Sequence, residues 1–67
     1  MMWRRWHAWL RVRQLDGTYA WEALRKRCTD PRDALDAGMR ARDAANSRHP
    51  HVWDAGHVTK VRVTQCK

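Results

Sequence analysis

From Trp6 to Val12 the chain alternates with period two. Trp6, Ala8, Leu10 and Val12 fall on one side of an extended strand, and Arg5, His7, Trp9, Arg11 and Arg13 fall on the other. That pattern predicts a half-buried strand. Asp16-Gly17 follows, and Asp-Gly between alternating segments is a strong hairpin signal. Taken as a two-residue turn, it sets Leu15 opposite Thr18, Val12 opposite Trp21, Leu10 opposite Ala23 and Arg11 opposite Glu22. Apolar residues then meet on the buried face, and an opposite-charge pair forms on the other. A competing reading makes Thr18 to Cys28 a helix, because that stretch holds good helix formers. Turn and pattern together favour the hairpin.

Thr29-Asp30-Pro31-Arg32-Asp33 reads as a helix start, with a capping residue, proline at the first helical position and acid in the first turn. The helix is expected from about Pro31 to Asn46 or Ser47. Its buried face is Ala34, Leu35, Gly38, Met39, Ala41 and Ala45, while Arg32, Asp36, Arg40 and Asp43 lie outside. Such small residues allow a close approach to the sheet and leave room for Trp6, Tyr19 and Trp21 to fill. Asn46 to Gly56 reads as loop, broken by Pro50 and Gly56. His57 to Gln65 alternates again, with Thr59, Val61 and Val63 on one side and Lys60, Arg62 and Thr64 on the other. The expected fold is therefore α+β, in the order β-β-α-β. One helix lies on one face of a three-stranded sheet of order 2-1-3, and the third strand runs parallel to the second through a right-handed crossover.

Sixty-seven residues allow a single domain with a thin core. Apolar residues make up 43% of the chain, and its five tryptophans point to a core carried by a few large rings. The formal charge is +7, and it is unevenly spread. Residues 1–28 carry seven bases against two acids, residues 29–54 four against five, and residues 55–67 three against none. A basic field of this kind favours nucleic acid, an anionic membrane or an acidic protein surface. No run approaches the roughly 18 apolar residues of a membrane span. The N-terminus also lacks the apolar core of a secretion signal. The expected location is a reducing cytoplasm with Cys28 and Cys66 as free thiols, or a host cytoplasm if a phage encodes the chain.

The expected open sheet face carries Arg5, His7, Trp9, Arg11, Arg13, Lys60 and Arg62, with Glu22 as its single acid. Interleaved bases and aromatics on a sheet suit phosphate tracking and base stacking, and a sheet can also enter a DNA groove. With Trp9 as the one aromatic, a groove or backbone contact is the stronger version. The ordinary alternative is a solvated face, for which arginine and threonine are common occupants. Cys28, His49, His51, His57 and Cys66 are residue types that bind zinc, but no paired knuckle spacing is present. They read as free thiols and loop histidines, with a Cys28–Cys66 disulfide under oxidation as the alternative. Trp3-Arg4-Arg5-Trp6 has the composition of a membrane-surface peptide, yet its alternation continues into the first strand. No nucleophile setting, carboxylate pair or glycine-rich phosphate loop stands out, so no enzyme, cofactor or metal is expected.

Eleven of the fourteen basic residues are arginine, and isoleucine and phenylalanine are absent, which is the usage of a GC-rich genome. In that usage, and in the layout around residues 10–18 (Leu10-Arg11-Val12-Arg13-Gln14-Leu15-Asp16-Gly17-Thr18) and residues 58–63 (Val58-Thr59-Lys60-Val61-Arg62-Val63), the chain resembles small accessory proteins of phages infecting GC-rich actinobacteria. The resemblance implies an accessory role, often host takeover by binding a host protein or nucleic acid. Two function classes follow. One is a non-enzymatic nucleic-acid-binding protein using the basic face. The other is a module that binds and modulates an acidic host protein through Trp3, Trp9 and Trp53 with flanking arginines. The expected state is a monomer or an edge-paired homodimer, with no membrane association.

Overall fold

A computed structural model of the chain describes residues 4–66. Its elements are β1 (Trp6–Arg13), β2 (Tyr19–Ala23), α1 (Pro31–Arg48) and β3 (Val58–Gln65). They form a three-stranded sheet of order β2-β1-β3, with β1 antiparallel to both neighbours. The α+β class, the element order and the strand order are those expected. Among the described residues, no helix is long and apolar enough to cross a membrane.

The hairpin register departs from the two-residue reading by one residue. Leu10 faces Glu22, Arg11 faces Trp21, Val12 faces Ala20 and Arg13 faces Tyr19. A two-residue type I′ turn needs positive φ at both central positions, and of the two only Gly17 has it, at 86°. The loop opens instead to Leu15-Asp16-Gly17. Gly17 N–H donates to the Gln14 carbonyl at 3.1 Å, and Gln14 N–H donates to the Thr18 carbonyl at 2.8 Å. The loop thus takes three residues and ends on a glycine of positive φ. Asp16 holds it by accepting from the Thr18 hydroxyl at 2.6 Å and the Thr18 N–H at 3.0 Å. A one-residue slip moves every side chain of β2 to the opposite face. The expected Arg11–Glu22 and Val12–Trp21 pairs are therefore not formed, and Leu15 stands almost fully exposed at the tip.

Asp30 caps α1 by accepting from the Arg32 N–H at 2.8 Å, and Pro31 occupies the first turn as expected. The buried stripe of α1 is narrower than expected, with Ala34 and Gly38 buried while Leu35 and Met39 are about two-fifths exposed, at 40% and 39%. The helix packs on β1 and β3, and Leu35 and Met39 stand at an open groove along β3. Gly38 permits the approach: a Cβ there would stand 2.7 Å from Ala8 Cβ and 2.6 Å from Val61 Cγ1.

The core is made of small and medium residues: Ala8, Leu10, Cys28, Ala34 and Val58. The large rings do not fill it, contrary to expectation. Trp6 and Trp9 are half-buried, and Tyr19, Trp21 and Trp53 are exposed. Val58 enters the core through an irregularity that strict alternation from Thr59 does not show. Arg11 pairs with Lys60 but Val12 pairs with Val58, so Thr59 is an extra residue. Asn46 fixes that point, its side chain accepting from Val58 N–H at 2.8 Å and donating to the Val58 carbonyl at 3.0 Å.

Candidate functional site

The side of the sheet away from α1 is the candidate site, and the β2 register decides its content. Pairing places His7, Trp9, Arg11 and Arg13 of β1 beside Tyr19, Trp21 and Ala23 of β2 and Lys60, Arg62 and Thr64 of β3. All but Arg5 of the seven expected residues thus lie on this one strand face. Arg5 is exposed just ahead of β1, with its carbonyl accepting from Cys66 N–H at 2.7 Å. Glu22 is not on this face. It pairs with Leu10 on the other side, so none of the described carboxylates on the strands shares the face with the cations.

The same slip brings Tyr19 and Trp21 onto the face that was expected to hold one aromatic. Arg11 Cζ lies 4.1 Å from the Tyr19 ring centroid and Arg13 Cζ 5.9 Å from it. Arg62 Cζ reaches across β1 to within 5.4 Å of the Trp21 centroid. These are cation–π distances. Among the described residues, the one ion pair is Arg42–Asp43 on the helix, at 3.1 Å, so Arg11, Arg13, Lys60 and Arg62 have no acidic partner. Arg11, Arg13 and Arg62 lie against ring faces, and all four cations remain available to an anion.

Two of the expected residues are held as framework. The Trp9 indole N–H donates to Thr64 Oγ1 at 2.7 Å, which fixes the ring on the sheet. His7 Nδ1 lies 2.8 Å from Cys66 Sγ, and the His7 ring lies 5.2 Å from that of Trp9. Cys66 therefore sits at the open face, whereas Cys28 is buried opposite Trp6, on the helix side. Both are free thiols, and their placement on opposite faces separates them. His49 and His57 meet at the far end of the sheet, where the His57 ring contacts the His49 carbonyl at 2.7 Å. Among the described residues no three potential metal ligands come together.

Residues 24–27 add a feature that the alternation did not show. The β1–β2 ladder ends near Ala23, and Cys28 returns to pair with Trp6. Between them Leu24, Arg25 and Arg27 border, with His7 and Ala23, an open depression of about 250 Å³. The run Arg25-Lys26-Arg27 was the available signal, and it extends the basic surface at this end. A second open groove, of about 460 Å³, follows β3, bounded by Leu35, Met39 and Arg42 of α1 and by residues 59–62, with Trp21 also at its lining.

Compared with protein-family models, with curated proteins and with solved structures, the chain matches none.

Proposed function

We propose that this chain is a non-enzymatic basic binding protein whose open sheet face binds nucleic acid, in an accessory role of the kind its composition resembles. The observation that supports the reading is the face itself: Arg11, Arg13, Lys60 and Arg62, without acidic partners among the described residues, interleaved with Tyr19 and Trp21. Four phosphate contacts would give a slope of roughly −3 to −4 in log affinity against log salt. Replacing Arg11, Arg13, Lys60 and Arg62 together by glutamine should lower both the affinity for generic nucleic acid and that slope. Unchanged affinity in the fourfold variant sinks the reading. Mass in solution should stay the same, since the uncovered strand edges belong to β2 and β3 and not to this face.

One observation favours a protein partner as the second reading. Leu15 at the hairpin tip is 96% exposed, and Val52 and Trp53 in the loop before β3 are 59% and 65% exposed. Trp53 is stiffened by a stacked His51, 4.9 Å away. Both segments issue from the Arg13 end of the sheet, where Arg13 N–H donates to the His57 carbonyl. An acidic host protein anchored there would bind with a shallower salt dependence than a phosphate ligand. Trp9 is not available as such an anchor, and Trp3 lies outside the described residues.

A further inference from the structure

We infer that the ligand of the open face is single-stranded rather than duplex nucleic acid, with bases stacked on Trp21 and Tyr19. This inference rests on the nucleic-acid reading of the same face and names the form of the ligand.

Tyr19 and Trp21 are two residues apart on β2, pointing to the same side and exposed by 38% and 41%. Same-face residues on a strand are separated by roughly 6.5–7 Å. Successive bases within a duplex strand rise by about 3.4 Å and present only their edges. The two rings therefore do not match a stacked duplex. A single strand with splayed bases can place neighbouring bases on neighbouring rings.

The guanidinium groups already over these rings decide whether the rings are accessible. An exposed cation–π contact is worth roughly a two- to five-fold factor. Base stacking on an aromatic side chain is worth roughly 5- to 150-fold per base. A base therefore displaces Arg11 from Tyr19, or Arg62 from Trp21, with a net gain. The displaced guanidinium stays at the rim of the ring, within reach of the phosphate that follows the base. Lys60, opposite Arg11, supplies a further cation in the next row. Trp9 is excluded as a plate because its N–H is bound to Thr64 and its ring is half-buried. The eight residues of β1 span roughly 25 Å, enough for about four splayed nucleotides.

The test compares three probes of equal length at one salt concentration: a 16-nucleotide oligo(dT), a 16-nucleotide oligo(rU) and a 16-base-pair mixed-sequence DNA duplex. One or both single strands should bind at least five-fold tighter than the duplex, and the stronger one identifies the sugar preferred. Trp21→Ala and Tyr19→Ala should each weaken single-strand binding by roughly 5- to 150-fold. Duplex binding and the salt slope should barely change, while Trp21→Phe should recover most of the loss. Equal or tighter duplex binding overturns the inference but leaves the nucleic-acid reading standing, and so does single-strand binding indifferent to both ring substitutions. Failure of all three probes to bind overturns both. Should Trp21→Ala fail to fold, Tyr19→Ala and the probe preference of the unaltered protein decide the matter.

Discussion

Gly38 of α1 lies so close to Ala8 of β1 that a methyl group added to Gly38 would stand 2.7 Å from the Ala8 Cβ. The same methyl would be 2.6 Å from Val61 Cγ1, so β1 and β3 both bear on this point of the helix. Neither neighbour is the far end of a flexible side chain. Close contact here seats α1 on two strands and leaves the opposite face of the sheet open.

Gly38→Ala should therefore destabilise the fold although alanine is the better helix former. The helix gains about 1 kcal/mol from the change, while forcing a group into a packed site costs roughly 1–3 kcal/mol. The expected outcome is a thermal midpoint lower by several degrees. A midpoint equal to or above that of the unaltered protein would show that the strands can yield at this point.

The β2 register is tested by a pair of charge substitutions. Val58 is 2% exposed, and an aspartate there would bury an unpaired charge, which a domain of this size cannot absorb. Val58→Asp should abolish cooperative unfolding. Trp21→Asp should leave it in place, because Trp21 lies on the open face opposite Arg11. With a two-residue Asp16-Gly17 turn, Trp21→Asp would be as damaging as Val58→Asp, so the calorimetric traces of the two variants separate the registers.

The hairpin loop should show in the pH dependence of stability. The hydrogen bond from the Thr18 hydroxyl, and then that from its N–H, hold the Asp16 carboxyl below its ordinary value of 3.8. A carboxylate with a lowered folded value binds its proton less readily when folded than when unfolded. Its stabilisation is complete above the ordinary value, declines as pH falls below it, and is lost once pH passes the lowered folded value. Asp16→Asn keeps an acceptor for Thr18 but does not titrate. Chemical-denaturation midpoints from neutral pH to about pH 2 should therefore fall less steeply for the variant across that acid window. Parallel curves would remove the carboxylate from this role.

Much of this architecture is determined by local chemistry that the sequence displays by itself. The alternation of Trp6 to Val12 makes β1, Asp30-Pro31 starts α1, and the small residues along α1 anticipate its close seat on the sheet. The order β2-β1-β3 follows, because a helix after a hairpin returns the chain beside the free edge of β1. The cations of the face were legible for the same reason, since strand parity alone puts Arg11 and Arg13 on one side. What only the tertiary structure decided are the points where one residue more or less changes parity. Asp16 keeps φ negative and accepts twice from Thr18, so the turn takes three residues and Trp21 and Tyr19 cross to the basic face. Thr59 bulges out and Val58 turns into the core, held by Asn46 from twelve residues away. The pattern of polar and apolar positions shows neither point: on β2 it favours the two-residue register, and on β3 it runs unbroken from Thr59. Hydrogen bonds make the choice, local ones between Asp16 and Thr18 in the turn and a pair between Asn46 and Val58 twelve residues apart, and those of the turn set which aromatic rings the basic face carries.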